Sequence, residues 1–389
     1  MKVLHYISDF SLPSETFIYD LINNLEKSNN SQNWIITHRR HLEHERPFEK
    51  TIIIKTHLFN KILHKVGDYH GYKMNKHEEV HDVINAIQPN IIHSHFGPNG
   101  IRMNNLLINY GFNIPQVVSF HGMDVNTLPH YRRGYLKYIQ SLGEQNNVYF
   151  TSPSYFLMNK IIKLGIPPNK IFLLKNSFNP SFLENKKTNY FRHGDVFKIL
   201  NVGRLETVKG QIYLIEAFSI FSNHYPNSKL TIIGQGSLEQ KLKQKAKVLG
   251  VENKIIFLGR VPHQKMPKII ADHDLYVQPS IVNEKGEEES FSVSTLEAMA
   301  IGLPVIASKV GGLQELVKNN GGSLVNPENS EELANEMCAI EKKISKSIYE
   351  NNRNKVIELY SPERITDDMI SIYTEILQKH NSNHVYQNI

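Results

Sequence analysis

Short apolar segments alternate with amphipathic stretches along almost the whole chain, and this alternation constrains the fold more than any other feature. The apolar segments read as strands that are buried on both faces, and the stretches between them carry apolar residues at helical spacing. The clearest strand segments are KVLHYIS, TIIIKTH, NIIHSHFG, PQVVSFHG, FKILNVGRL, SKLTIIGQG and PVIASKVGG. Parallel sheets built from βαβ units have this pattern. The sequence therefore predicts an α/β protein.

The alternation pauses once, at a polar stretch rich in Asn and Lys over residues 176–196, which we interpret as a linker. A chain of 389 residues is also too long for one ordinary core. We therefore predict two doubly wound, Rossmann-like domains facing each other across a cleft, at 1–190 and 191–365. A last helical stretch at 366–389 follows the break at Pro362, and we expect it to return to the first domain.

Composition narrows the class of protein. The chain is 40% hydrophobic and 21% charged, as globular proteins are. No apolar run reaches the roughly 18–20 residues that span a bilayer. The first residues, MKVLHYISDFSLPSE, lack the apolar stretch of a signal peptide, so we expect a cytoplasmic protein. Its single cysteine, Cys338, excludes a disulfide within the chain.

The positive charge is concentrated in the first half of the chain. The net charge is +6, and residues 1–190 hold 21 Lys and Arg against 14 Asp and Glu. A basic half indicates contact with an anionic surface, such as the inner face of a membrane or a phosphorylated acceptor. The alternative is a solvated basic face without a dedicated partner. We find no nucleic-acid-binding motif and expect no nucleic-acid partner.

The segment NVGRLETVKG contains the end of the first strand of the second domain and the turn after it. The strand ends at Gly203, and a helical pattern begins after Lys209. Backbone N–H groups at a helix start, together with the cations of Arg204 and Lys209, suit an anion such as a phosphate. The alternative is a turn that carries ordinary surface charges.

Two glutamates lie eight positions apart in the segment GEEESFSVSTLEAMAIGLPVIAS. Ser290 or Ser292 would cap a helix that ends at Gly302. Glu289 would then lie just before the helix and Glu297 within it. Two carboxylates flanking a helix start could hold the hydroxyl-bearing ends of a nucleoside diphosphate sugar while the N–H groups face its phosphates. A solvated acidic loop followed by one helix glutamate is the alternative.

These motifs resemble those of the family 4 retaining glycosyltransferases, which have the GT-B fold. The family carries E-x7-E, then EAMA-G-PVIA, then GG--E, and this chain has EESFSVSTLEAMAIGLPVIASKVGGLQELV. VGRL---KG resembles the family's pyrophosphate-binding turn, and SFHGMDV resembles its HG-D element. The resemblance extends from residue 1 to about residue 377. ISDFSLPSETFI and HSHFG resemble the members that build bacterial exopolysaccharides.

The resemblance implies a role for each matching residue on the donor side. Arg204 and Lys209 would bind the pyrophosphate, Glu297 the ribose hydroxyls and Glu289 the hydroxyls of the transferred sugar. The backbone N–H groups of Ser290, Phe291 and Ser292, near the helix start, would also contact the donor. So would Gly234, in the turn that ends the strand segment SKLTIIGQG. The turn GQGS at 234–237 could alternatively be a turn without a ligand.

On the acceptor side the resemblance places His121 beside the anomeric centre, with Asp124 nearby. We assign His121, Glu289, Arg204 and Lys209 to catalysis. Many relatives have a Gly-Gly turn after the first strand, and here that position holds Pro13-Ser14-Glu15-Thr16. We assign five residues to the acceptor side: Ser14, Glu15, Thr16, His95 and Asp124. Ser14 is also the predicted N-cap of the first helix.

The resemblance implies that no metal or other cofactor is needed, because the arginine and lysine neutralise the phosphates. Asp272 and Asp274 match the D-x-D of metal-dependent glycosyltransferases, but the end of a helix and the entry of a strand explain them better. His93 and His95 face the same side of a strand, yet the sequence shows no third zinc ligand at convincing spacing.

We therefore expect a retaining hexosyltransferase that uses a nucleotide sugar and a glycan or polyprenyl-linked acceptor in surface-polysaccharide biosynthesis. A UDP-sugar is the first choice of donor and GDP-mannose the second. Two alternatives stay open. One is a non-catalytic GT-B subunit that binds glycan or a partner enzyme, and the other is a nucleotide-sugar epimerase.

Overall fold

A computed structural model describes residues 1–54, 77–188, 190–191 and 194–387. Contacts divide the chain into two compact units. The first comprises Met1–Asn176 together with Pro362–Ile389, and the second comprises Ser177–Ser361. The chain therefore passes from one unit to the other after residue 176 and again after residue 361. The domain boundaries at 190 and 365 stay predictions from sequence.

The first unit contains a seven-stranded sheet in the order β3-β2-β1-β4-β5-β6-β7. Every neighbouring pair is parallel, as the apolar strand pattern predicts. Strand order reverses between β1 and β4, which pair with His5 opposite His93. The strands are β1 (Lys2–Phe10), β2 (Gln32–Arg40), β3 (Thr51–Ile53), β4 (Ile91–His95), β5 (Gln116–Ser119), β6 (Val148–Ser152) and β7 (Ile171–Leu173). Residues 55–57 of the predicted strand TIIIKTH lie outside the described residues.

Helices connect these strands and cover both faces of the sheet. They are α1 (Thr16–Lys27), α2 (His77–Ile87), α3 (Gly97–Asn109), α4 (Met123–Asn126), α5 (Leu128–Tyr131), α6 (Tyr135–Glu144) and α7 (Tyr155–Lys163). The Ser154 hydroxyl caps α7 by accepting from the Leu157 N–H at 3.2 Å. The predicted cap of α1 is wrong, because Glu15 rather than Ser14 occupies the N-cap position, and the Glu15 side chain makes no capping hydrogen bond.

The final helix, α16 (Pro362–Gln387), belongs to the first unit. Its apolar residues Ile365, Met369 and Tyr373 are buried against Val3 of β1 and Val117 of β5. Burial of this face explains why the last helix carries apolar residues at helical spacing, although it lies far along the sequence from the strands that it covers.

The second unit contains a six-stranded parallel sheet in the order β10-β9-β8-β11-β12-β13. Alternate residues of its strands pack on opposite faces, as Leu200 and Tyr276 join one core cluster and Ile199 and Leu275 the other. The order reverses between β8 and β11, which are paired. The strands are β8 (Phe197–Val202), β9 (Ser228–Ile233), β10 (Ile255–Gly259), β11 (Leu275–Gln278), β12 (Val305–Ser308) and β13 (Ser323–Val325).

Eight helices of the second unit are described. They are α8 (Ser181–Glu184), α9 (Gln211–His224), α10 (Glu239–Val248), α11 (Met266–Ala271), α12 (Val293–Ile301), α13 (Leu313–Asn319), α14 (Ser330–Lys343) and α15 (Lys346–Tyr360). In the part of the chain that the structure covers, no helix has the length and apolar character needed to cross a membrane.

The segment 176–196, predicted as a linker from its polar composition, packs against the second unit. Phe178 and Phe182 have no exposed surface and pack into the core of the second unit. Lys187 is also buried, and its ammonium group donates to Asp274 at 3.0 Å. Positions 189, 192 and 193 lie outside the described residues. Spaced aromatic anchors therefore attach this segment to the second unit despite its many polar residues.

Candidate functional site

The turn after β8 lies at the reversal of strand order in the second sheet, where open α/β sheets bind ligands. It runs from Gly203 to Gly210 and includes a 3-10 turn, Thr207–Lys209. Arg204 is exposed, whereas the Lys209 side chain is only 14% exposed. The sequence-predicted cations therefore lie on one short turn at the carboxyl edge of the sheet.

Glycines let the neighbouring turns approach this one closely. A Cβ at Gly210 would lie 1.9 Å from the carbonyl oxygen of Pro279, after β11, and a Cβ at Gly234, after β9, would lie 1.9 Å from that of Gly203. Both glycines have positive φ, at 63° and 139°. Gly234, the predicted donor contact, thus has a packing role against the Arg204 turn, and only a residue without a Cβ fits there.

The segment before α12 is attached to the turn after β12. The Gly312 N–H donates to the Glu289 carbonyl oxygen at 2.9 Å, and a Cβ at Gly311 would lie 2.0 Å from the same oxygen. Ser290 is buried, and the partly buried Phe291 packs against Tyr360. The backbone at Glu289 is therefore fixed in place although it belongs to no helix or strand.

Helix α12 begins and ends as the sequence predicts. Ser292 is its N-cap, with the side-chain oxygen 3.4 Å from the Thr295 nitrogen, and Gly302 ends it at φ 109°. The Tyr276 hydroxyl of β11 lies 2.8 Å from the Ser294 hydroxyl and 3.2 Å from the Val202 carbonyl oxygen. This contact fastens the first turn of α12 to the end of β8, next to the cationic turn.

Glu289 and Lys209 form an ion pair with each other. The Ser280 hydroxyl lies 3.3 Å from the same Glu289 oxygen. The Lys209 side chain is 14% exposed and that of Glu289 is 12% exposed, so the pair is largely shielded from water. The structure thus brings the predicted phosphate-binding lysine and the predicted sugar-binding glutamate into direct contact.

Glu297 is 4% exposed and pairs with His263, whose Nε2 lies 2.6 Å from the Glu297 carboxylate. His263 begins the 3-10 turn His263–Lys265 after β10, and its ring lies 5.6 Å from that of Phe182. Sequence reasoning missed His263. The available signal was its position just after a strand of the second sheet, at the same carboxyl edge as the other site residues.

The D-x-D residues are engaged in structural ion pairs. Asp274 accepts from the Lys187 ammonium group at 3.0 Å and from the Lys198 N–H at 2.9 Å. Asp272 accepts from the Lys198 side chain at 2.9 Å. These partners favour the interpretation of the motif as a helix end and a strand entry.

In the first unit, His121 lies after β5 in an aromatic environment. Its ring is parallel to that of His95 at 5.7 Å and contacts Phe17 and Phe96 at 5.0 and 4.7 Å. Both His121 ring nitrogens are buried and lack a hydrogen-bond partner among the described residues. Burial lowers the pKa of His121 to about 3, which keeps the ring neutral.

Asp124 fixes the turn that carries His121. Its buried carboxylate accepts from the backbone N–H groups of Gly97, His121 and Gly122 at 3.0, 3.1 and 2.9 Å. Burial raises the pKa of Asp124 to about 6, and these N–H donors act in the opposite direction. With its oxygens directed to backbone donors, Asp124 is a positioning residue for the His121 turn.

The turn after β1 lies beside His121, because Phe17 in the first turn of α1 contacts the His121 ring. Ser14 is exposed, Glu15 is half-buried and Thr16 is buried. Burial, and after it the charge of Asp9, raises the pKa of Glu15 to about 7. The predicted acceptor-side residues therefore come together at one edge of the first sheet.

A cluster of three histidines lies under this edge. His5, His93 and His95 have no exposed surface and each offers one ring nitrogen within 4.8 Å of the others. His5 lies 3.2 Å from His95, and His5 was the member that the sequence did not reveal. A metal would displace existing contacts, because both His93 nitrogens lie 2.6 Å from hydroxyls, those of Tyr373 and Ser119.

Known proteins resemble this chain in sequence and in fold. It is 33% identical over 223 residues to the uncharacterized glycosyltransferase MJ1607 of Methanocaldococcus jannaschii, covering 53% of this chain and 54% of that protein. It is 31% identical over 234 residues to the amylovoran biosynthesis glycosyltransferase AmsK of Erwinia amylovora, covering 60% and 56%. The chain thus spans about half the length of these curated relatives.

The fold resembles that of Anabaena Alr3699/HepE, crystallised in complex with UDP, with a TM-score of 0.74 at 19% identity over 96% of this chain and 100% of that one. This likeness confirms the predicted GT-B fold.

Two family models match successive parts of the chain. Glycosyltransferase family 4 matches residues 14–182, and glycosyl transferases group 1 matches residues 184–356. The matched residues cover the edge of the first sheet around His121 and the cationic turn and both glutamates of the second. Together the two models describe glycosyltransferase family 4, and the chain belongs to this family.

Proposed function

We propose that this protein transfers a sugar from a nucleotide sugar to a glycan or lipid-linked acceptor in surface-polysaccharide biosynthesis. The observation that carries the proposal is that Lys209 pairs with Glu289 while the start of α12, the helix that contains Glu297, is held against the end of β8 next to the Arg204 turn. Cations and N–H groups suit a diphosphate, and carboxylates suit its hydroxylated ends. The relative AmsK is named for amylovoran biosynthesis, which agrees with a polysaccharide product.

In the proposed reaction the bond between the sugar anomeric carbon and the diphosphate oxygen breaks as a bond to an acceptor hydroxyl forms. The diphosphate leaves with the electron pair, and its oxygen takes the acceptor proton on the same face of the sugar, so configuration is retained. Arg204 and Lys209 stabilise the charge that develops on the leaving group. Because these cations supply the neutralising charge, we propose turnover without a metal cofactor.

We assign the ribose hydroxyls to Glu297, with His263 holding its carboxylate in place. UDP is the first choice of nucleotide, and the HepE complex with UDP supports a uridine nucleotide in this fold. GDP-mannose is the second choice. The sugar is expected to be a hexose whose hydroxyls reach Glu289.

On the acceptor side we propose that the neutral His121 ring contacts the substrates, since its nitrogens are free for a ligand. Ser14, Glu15 and Thr16 would contact the acceptor. His95 has no exposed surface and stacks on His121, so we assign it, like Asp124, to positioning.

We also propose peripheral contact with an anionic membrane surface from the cytoplasmic side. The helices α5 and α6 expose apolar side chains, with Tyr131 59% and Leu136 38% exposed. Arg133 and Lys137 are exposed in the same short segment. Aromatic and basic side chains side by side suit the boundary between lipid headgroups and acyl chains.

The test is calorimetric binding of UDP, GDP and inorganic pyrophosphate to the wild type, Lys209→Ala and Glu297→Ala. We expect Lys209→Ala to weaken binding of both a nucleoside diphosphate and pyrophosphate by about tenfold or more, the value of one charged hydrogen bond. Glu297→Ala should weaken only the nucleoside diphosphate, because pyrophosphate has no ribose. Absence of nucleotide binding by the wild type would overturn the proposal.

Turnover separates the proposal from its alternatives. Incubation with a panel of nucleotide sugars should release nucleoside diphosphate faster when a lipid-linked acceptor is added. An epimerase would convert the nucleotide sugar without any acceptor. A non-catalytic subunit would bind glycan and leave every nucleotide sugar intact.

A further inference from the structure

The ion pair between Lys209 and Glu289 joins two residues that the proposed function assigns to different parts of the donor. Lys209 is assigned to the diphosphate and Glu289 to the transferred sugar, yet here each satisfies the other. The pair is largely buried, and the Ser280 hydroxyl supports the carboxylate from 3.3 Å.

The backbones on both sides of the pair are fixed. Gly210, directly after Lys209, is held against Pro279, where a Cβ would lie 1.9 Å from the carbonyl oxygen. The Glu289 carbonyl oxygen accepts from Gly312 at 2.9 Å. With both backbones held, a ligand changes the pairing by moving side chains rather than loops.

A diphosphate arriving at Lys209 meets the Glu289 carboxylate in a poorly hydrated site, where like charges repel strongly. Either the Lys209 ammonium group leaves Glu289 for the phosphate, or the Glu289 carboxylate and the phosphate share it at a cost in binding free energy. A sugar hydroxyl removes this conflict, because it donates to the Glu289 carboxylate and so replaces the ammonium group as its partner.

We propose that Glu289 competes with the diphosphate for Lys209 and thereby makes the site favour nucleotide sugar over free nucleoside diphosphate. This inference rests on the proposed function. The sugar and the diphosphate then bind with positive coupling through one shared lysine. After transfer the sugar leaves Glu289 and the carboxylate returns to Lys209. The nucleoside diphosphate product then binds more weakly.

The experiment measures the dissociation constant of UDP, or of GDP if that binds more tightly, for the wild type and Glu289→Gln. The amide has nearly the same shape and keeps a partner for Ser280, but it carries no charge. We expect UDP to bind about fivefold more tightly to Glu289→Gln, the lower end of typical coupling between sites. The preference for the nucleotide sugar over UDP should fall by at least the same factor.

Two controls separate competition for Lys209 from a general loss of negative charge. Glu284→Gln removes one charge from an exposed position of the same loop and should change UDP binding by less than about twofold, as expected for a screened surface charge. In the Lys209→Ala background, adding Glu289→Gln should tighten UDP binding by a smaller factor than it does with Lys209 present, because only the repulsion between the carboxylate and the diphosphate is then relieved.

Three results would overturn the inference. These are weaker UDP binding by Glu289→Gln, equal tightening by Glu284→Gln, and tightening in the Lys209→Ala background that equals or exceeds the tightening with Lys209 present. In each case the wild type still binds UDP, so the proposed function stands. If the wild type bound neither UDP nor GDP, the proposed function would fail first. Unchanged thermal unfolding of Glu289→Gln would show that the variant is folded.

Discussion

Four histidines of the first unit are held neutral by their surroundings. Burial lowers the pKa of His5 to about 4 and that of His121 to about 3. Burial also takes the pKa values of His93 and His95 well below the usual value, and the charges of neighbouring histidines add to the effect. A proton on any of them would place a charge in a buried site, where that charge loses its hydration.

This arrangement predicts that acid destabilises the first unit. The folded-state pKa values lie below the unfolded value of about 6.5, so the unfolded chain binds protons first. The free energy of unfolding should therefore fall as pH drops below about 6.5, by up to about 1.4 kcal/mol per pH unit for each histidine. Glu15 and Asp124, with raised pKa values, act in the opposite direction but are fewer.

Urea unfolding between pH 8 and pH 5 checks this prediction. The only tryptophan, Trp34, lies on β2, so its fluorescence reports the first unit. His130→Gln is the control, because His130 is exposed, and it should leave the pH dependence unchanged. Stability that stays constant or rises between pH 7 and pH 5 would contradict the prediction.

At the scale of elements, the turns of the second sheet depend on close backbone approach. Gly210 and Gly286 both have left-handed backbone, at φ 63° and 71°. They differ in their surroundings. A Cβ at Gly210 would meet the Pro279 carbonyl oxygen, whereas no atom of the described residues would lie within 4 Å of a Cβ at Gly286. This difference separates the cost of the conformation from the cost of the contact.

We therefore expect Gly286→Ala to destabilise the protein by about 1 kcal/mol, the cost of a left-handed alanine. Gly210→Ala should cost about 3 kcal/mol or more, because the turns after β8 and β11 must separate. Calorimetric unfolding measures both variants, and Gly210→Ala should also lose nucleotide binding. Equal losses of stability in the two variants would show that the close approach is unimportant.

Several elements could be predicted from local sequence. The helix α12 follows from Ser292, the apolar run after it and Gly302, because caps and hydrophobic spacing are local signals. The first helix shows the limit of such signals, since Ser14 has the right side chain for a cap but Glu15 occupies that position. The segment 176–196 shows another, because a few buried aromatic residues outweigh a polar composition.

At the scale of the whole molecule, the uneven charge is a property of the sequence, and the structure shows where part of it is exposed. Residues 128–137 combine the exposed apolar residues Tyr131 and Leu136 with the exposed cations Arg133 and Lys137. Each cation near an anionic surface contributes about 1 kcal/mol of attraction.

We accordingly expect the protein to float with vesicles that contain anionic lipid and to dissociate as salt is raised. The double variant Arg133→Glu/Lys137→Glu should lower vesicle binding by at least about tenfold. The matched control, Lys241→Glu/Lys247→Glu, makes the same charge change at exposed positions of the second unit and should bind like the wild type. Binding that ignores lipid charge and salt would contradict membrane contact.

The sequence by itself determined the parallel α/β class and the motifs of the family. Apolar periodicity, caps and the E-x7-E spacing are short-range features, so one chain displays them without its fold. The same reasoning placed Arg204, Lys209, Glu289 and Glu297 in one candidate site.

Only the tertiary structure decided which of these groups are partners. His263 reaches Glu297, His5 faces His93, and Lys209 pairs with Glu289 across 80 positions of sequence. Such pairs depend on strand order, and strand order follows from the packing of the complete sheet rather than from the pattern of any one strand.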